Sequence, residues 1–166
     1  MPKPHIDLKA ILEHTASGPH ADLVTRPTGR AVRSSIEATL ERMGDEPYAV
    51  IDFGTVRCMD FSCADEIVGK LLREHGAARY FFLHGVTASH CDAIEHVLAR
   101  HQLAVVARDR EGRVRVLGPI PDKARQALSV LAENGLATPD ELADHLAASE
   151  MDLLDTTSGP TPRATE

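Results

Sequence analysis

Residues 49–72, AVIDFGTVRCMDFSCADEIVGKLL, constrain the fold more than any other stretch of this chain. A β-rich run ends at Phe53-Gly54, a short loop follows, and an apolar helical stripe through Ala64, Ile67, Val68, Leu71 and Leu72 begins almost at once. A strand that feeds a helix this directly forms a βαβ unit when another strand follows, and such units impose parallel pairing with the helix packed on the sheet.

The pattern recurs. YFFLHGV at 80–86 reads as a strand, SHCDAIEHVLARH at 89–101 as a helix through Cys91, Ile94, Val97 and Leu98, and LAVVARD at 103–109 as a third strand. After Arg110-Glu111-Gly112 the run VRVLG at 114–118 can return antiparallel beside it. Upstream, Val32, Ile36, Leu40 and Met43 stand at helical spacing before Gly44, which ends that helix. IDLKAIL near the N-terminus fits a strand through Ile6, Leu8 and Ala10 or a short helix through Leu8, Ile11 and Leu12, and strand is the preferred reading. The expected fold is therefore α/β, with a largely parallel or mixed sheet covered by helices.

Domain organisation follows from composition along the chain. The α/β domain is expected over residues 1–118. Residues 119–155 read as a helical extension: KARQALSVLAEN stops at Gly135, and Thr138-Pro139-Asp140-Glu141 opens a second helix with a T-x-x-E capping box. The last residues, 156–166, are rich in Pro, Thr and Ser and are expected to be disordered. The helical pair resembles the start of a winged helix, but ASEMDLLD follows without one Lys or Arg, and a recognition helix must approach phosphates.

Charge excludes more than it assigns. The net charge is -7, and residues 120–166 hold only Lys123, Arg125 and Arg163 against nine Asp and Glu, a balance unsuited to broad nucleic-acid binding. Three cysteines, Cys58, Cys63 and Cys91, make no disulfide framework and suit a reducing, cytoplasmic setting. No apolar run approaches membrane-spanning length, so no membrane association is expected.

The loop and helix opening, VIDFGTVRCMDFSCADEIVGKLL, is similar to the corresponding stretch of the STAS superfamily, the fold of bacterial anti-sigma factor antagonists, and most closely to its STAS-like branch. The match covers roughly residues 29–118. It rests on Asp52-Phe53, the Val56 to Asp60 approach and Ser62-Cys63-Ala64-Asp65-Glu66, where that family shows a Ser-Phe-Ala-Asp-Glu-like string. The resemblance implies a non-enzymatic regulatory module that docks a signalling protein, such as an anti-sigma factor or a histidine-kinase-like ATPase. It also implies control by phosphorylation at the helix opening. Phe61 stands directly after Asp60, where the antagonists carry their phosphoacceptor, which leaves Ser62 as the candidate phosphosite.

On this reading Arg57, Phe61, Asp65, Glu66, Gly69 and Lys70 form an exposed docking surface. Ser62 is expected to be the N-cap, with Asp65 three residues on. Gly69 costs a helix interior about 1 kcal/mol relative to Ala, so a close approach is expected there, either of a partner or of a neighbouring element of this chain. Arg26, Arg30 and Arg33 form a basic strip that could meet an acidic partner, or a solvated face with Arg33 paired to Glu37.

Two other functional classes are compatible with parts of the sequence. One is a DNA-binding regulator using the incomplete helix-turn-helix. The other is an enzyme built on Cys63, whose thiol would sit at a helix N-terminus, or on a metal held by His84, His90, Cys91, His96 and His101. The histidine spacing is not a metal signature, Cys63 has no basic neighbour in sequence, and no phosphate-binding glycine pattern is present, so no cofactor or metal is expected.

Overall fold

The computed structural model describes residues 4–15 and 22–127. The chain divides into two units between Pro119 and Ile120. The first contains β1 (His5–Asp7), α1 (Leu8–Thr15), α2 (Arg26–Met43) and β2 (Tyr48–Asp52). A compound helix follows over 61–75: α3 (Phe61–Ala64), a π-helical segment (Asp65–Lys70) and α4 (Leu71–His75). Then come β3 (Tyr80–Val86), α5 (Ala88–His101), β4 (Val105–Asp109) and β5 (Val114–Leu117). In the second unit, residues 122–127 are helical. The rest of the expected helical pair and the Pro-Thr-Ser tail lie outside the described residues.

The strands form one sheet in the order β1-β2-β3-β4-β5. Pairing is parallel from β1 through β4, and β5 returns antiparallel to β4. The α/β class with a largely parallel sheet is thus as the alternating periodicities require. IDLKAIL resolves as both alternatives in succession: Ile6 pairs with Ile51 in the sheet, and Asp7 Oδ1 then accepts the Lys9 N–H at 2.9 Å to start α1.

Strand order equal to chain order has a topological consequence. Each parallel crossover advances one strand in the same direction, and the right-handed crossover that βαβ units adopt puts every connecting helix on one face. Alternation along the strands agrees. Ala49, Ile51, Phe81, Leu83, Val105 and Ala107 are buried in the core with Ile36, Ile67, Leu71, Ile94 and Leu98 from the helices. Each of the larger of these side chains contributes about 1.5–3 kcal/mol by leaving water. Tyr48, Tyr80 and Phe82, on alternate positions of β2 and β3, remain exposed. Among the described residues no helix is long and apolar enough to cross a membrane.

Candidate functional site

The loop after β2 is stitched from both sides. Gly54 N–H donates to Asp52 Oδ1 at 2.7 Å, and Phe53 N–H donates to the His84 carbonyl at 2.8 Å. The segment ahead of α2 runs alongside: Leu23 forms a parallel bridge with Met59, its N–H donates to the Cys58 carbonyl, and its carbonyl accepts from Asp60 N–H. Loop, compound helix and the start of α2 are therefore joined by backbone hydrogen bonds.

Asp60, and not Ser62, is the N-cap. Its Oδ1 accepts the Cys63 N–H at 2.8 Å and the Ser62 hydroxyl at 2.8 Å, while Oδ2 accepts the Thr25 N–H at 2.9 Å. Burial works to raise the Asp60 carboxyl, but these donors outweigh it and hold it below the usual range. Both Asp and Ser are strong caps, and the helix begins at Phe61, two residues earlier than a Ser62 cap would place it, which hands the role to Asp60. Ser62 is half-buried and committed to that carboxylate.

Asp65 and Glu66 depart most from the expected docking surface: they turn inward. Asp65 lies 2.9 Å from Arg26 Nη1 and 2.7 Å from His101 Nε2. The Glu66 side chain has no exposure at all, and its Oε1 lies 2.8 Å from Arg26 Nη1 and 2.7 Å from Lys70 Nζ. Arg33 Nε sits 3.1 Å from Oε2 in charge contact without hydrogen-bond geometry, and Arg30 Nε is 3.6 Å from Oε1. Burial alone would raise the Glu66 carboxyl, but the hydrogen bonds from Lys70 and Arg26 and the charge of Arg33 prevail and hold it low. Asp65 is held low in the same way against its own burial, through His101 and Arg26.

The basic strip is corrected by the same observation. Arg26, Arg30 and Arg33 converge on Glu66 of their own chain. The expected Arg33–Glu37 pair is present at 3.5 Å but is longer than the Arg33–Glu66 contact. Lys70 is likewise drawn to Glu66, so it too leaves the exposed set.

Gly69 is buried, and the close approach comes from α5. A Cβ there would stand 2.6 Å from Val97 Cγ1 and 2.8 Å from His101 Cδ2, closer than carbon atoms can come. Gly29 plays the matching part on α2, where a Cβ would meet Cys63 Cα at 3.0 Å. The π-helical turn between these contacts takes one extra residue per bond and carries Asp65 and Glu66; such turns concentrate at functional sites.

Two expected surface residues do face solvent. Arg57 makes a bidentate pair with Asp22, at 3.0 and 2.6 Å, with its side chain 70% exposed. Phe61 is 57% exposed and its ring lies 4.7 Å from that of His96 on α5. Val24 is also an exposed apolar side chain, on the segment stitched to this loop.

The thiols differ. Cys58 is exposed, whereas Cys63 and Cys91 are buried. Burial first, and then the negative Asp60, push the Cys63 thiol up to about 12, and its Sγ donates to the Thr25 carbonyl at 3.0 Å. A thiol in that state is protonated and unreactive at neutral pH, so the helix N-terminus does not activate it.

The histidines scatter. His84 is on the exposed sheet face, His96 packs at a tilt against Phe61 and His101 faces Asp65. His90 is wholly buried: its Nδ1 accepts the Thr87 N–H at 3.1 Å while Thr87 Oγ1 accepts its own N–H at 3.2 Å, a capping box. Thr87-x-x-His90 is a capping pattern with His in the place of Glu, a signal that identifies this residue as structural. Among the described residues the one cluster of metal-ligand type is Glu37, Glu74 and His75, which no sequence spacing suggests. Arg33 Nη1 stands within 3.5 Å of both of its carboxylates and already supplies a cation there.

No family model, no curated protein and no solved structure matches this chain.

Proposed function

We propose that this chain is a non-enzymatic regulatory interaction module of the STAS-like type that docks a signalling protein through the outer surface of the loop and helix opening after β2. The observation that carries the reading is Phe61, a large apolar side chain left 57% exposed at a helix opening whose other residues are bound inward. Val24 and the paired Arg57 extend the exposed surface on the loop side. A rigid apolar anchor with a polar rim is how energetic hot spots in interfaces are built.

Relative to the sequence expectation, the docking set keeps Arg57 and Phe61, gives up Glu66 and Gly69 to the interior, and loses the half-buried Asp65 and Lys70 to ion pairs within the chain. The partner class is a histidine-kinase-like ATPase or an anti-sigma factor, and the resemblance alone supports that class. A phosphate on Ser62 would stand against the Asp60 carboxylate to which the hydroxyl now donates, so the reading requires no modification there.

The test is affinity capture with the tagged chain, followed by calorimetric titration of the purified partner against wild type, Phe61→Glu and Tyr80→Glu. A signalling protein that binds wild type and Tyr80→Glu but loses at least roughly tenfold in affinity for Phe61→Glu supports the surface. Equal affinity for Phe61→Glu refutes it.

A further inference from the structure

Parallel sheets are normally covered on both faces, because parallel strands are buried elements. The sheet here is parallel from β1 through β4, and the described helices of its unit pack on one face of these four strands; at the β5 edge of the opposite face Val116, the partner of Val106, is already buried. The opposite face is built in register. Val50, Phe82 and Val106 align across β2, β3 and β4, with Tyr48 and Tyr80 aligned beside them. Tyr80 is 76% exposed, Tyr48 43% and Phe82 41%, so three aromatic rings of the four Phe and two Tyr in the chain stand in solvent on this one surface. Exposed apolar surface of this continuity marks an interaction site.

A second row says what the face fits. Asp7, Asp52, His84 and Arg108 align across β1 to β4 in adjacent register, acidic on one side of β3 and basic on the other, with Asp52 Oδ2 also 3.1 Å from His5 Nε2 on β1. A partner of a single charge sign would oppose one end of this row. A copy of the same row, turned by a two-fold rotation about β3, sets Asp52 against Arg108 on both sides of the axis, with Asp7 over Val114 of β5.

We propose that this face is a homodimer interface, two copies stacked sheet to sheet about a two-fold axis running along β3. In that arrangement Asp52 of each copy lies over Arg108 of the other, Val50 lies over Val106, and Tyr80, Phe82 and His84 meet their own counterparts on the axis. β2 and β4 flank the axis by one strand spacing, about 4.8 Å, so the sheet twist that separates the outer strands leaves these pairs within reach. The interface is isologous, the commonest form of closed assembly, and it covers the exposed aromatic surface of β2 and β3. The surface lies on the sheet, away from the Phe61 loop, and the inference stands or falls apart from the proposed docking function.

Sedimentation velocity on the full-length chain over a wide concentration range tests it, with circular dichroism to confirm that each variant is folded. Wild type is expected to show a monomer–dimer equilibrium. Tyr80→Glu, Phe82→Glu and Arg108→Asp are each expected to weaken it by roughly tenfold or more. The double variant Asp52→Arg/Arg108→Asp is expected to recover affinity over Arg108→Asp alone. A wild type that stays monomeric overturns the proposal, whichever other molecule the face takes. So does a dimer indifferent to Tyr80→Glu and Phe82→Glu, and so does a charge-swapped double variant no better than the single.

Discussion

The Glu66 carboxylate lies 2.8 Å from Arg26 Nη1 with no exposure to solvent, joining the π-helical turn to the first residue of α2, forty positions earlier in the chain. Arg26, Lys70 and Arg33 gather around the Glu66 carboxylate, so removing its charge takes the close partner from Lys70 and leaves Arg26 to Asp65 and Arg33 to Glu37 and Glu74. Glu66→Gln is expected to destabilise the fold by about 2–3 kcal/mol, below the roughly 3–5 kcal/mol of a fully broken buried pair because Arg26 can swing to solvent. Arg30→Ala, which removes a 3.6 Å contact from a mostly exposed side chain, should cost less than about 0.5 kcal/mol. Urea midpoints at unchanged slope decide both; a Glu66→Gln cost as small as that of Arg30→Ala would mean the cluster is not a structural element.

The same cluster sets the response to acid. Asp60, Asp65, Glu66 and Asp109 are all held below their ordinary carboxylate ranges in the folded chain, so between the two sets of values the unfolded chain binds more protons. Their contribution is complete above the unfolded values of about 4 and is lost as pH falls through the folded ones. Urea midpoints measured from pH 5 downward should fall steeply below about pH 4, and less so in Glu66→Gln.

His90 acts at a higher pH. Burial, with Arg110 nearby, pushes it below its ordinary value against the opposing pull of the Arg57 backbone carbonyl. A histidine depressed in the fold stabilises above the unfolded value of about 6.5 and gives up that contribution as pH drops toward its folded value. A decline in midpoint beginning below about pH 6.5, absent in His90→Phe, identifies this residue as its source.

The α/β order was legible in the sequence because the apolar period switches between 2 and 3.6 at each boundary, as at Phe53 and again at Val86. The engagement of Asp65 and Glu66 was not. Acidic residues near a helix start are ordinarily exposed first-turn residues, and nothing local indicates that Arg26, Arg30 and Arg33 fold back over them. The cap is ambiguous in the sequence for a different reason: Asp60 and Ser62 are equally good caps two positions apart, and the choice depends on Asp60 also holding Thr25, a contact made across the fold. A glycine at position 69 of a helix already signals a close approach, and only the position of Val97 and His101 says that the neighbour is internal.

Cap assignment has a direct test. Asp60→Ala removes acceptors from Cys63 N–H, Thr25 N–H and the Ser62 hydroxyl together, and should cost about 2 kcal/mol, the upper end for a lost cap. Ser62→Ala should cost no more than about 1 kcal/mol, the worth of one hydrogen bond. The reverse order of costs would return the cap to Ser62.

Gly69→Ala sets two effects against each other. Alanine gains about 1 kcal/mol in helix propensity, while its methyl group would stand 2.6 Å from Val97 Cγ1 and force α5 or the π-helical turn to move, at about 1–3 kcal/mol. Net destabilisation is expected because both neighbours belong to a packed helix. Gly69→Ala/Val97→Ala vacates the space at the cost of a cavity elsewhere along Val97, so the two substitutions should be less than additive. Strict additivity in the urea midpoints would show that the approach of Val97 is not what holds glycine at this position.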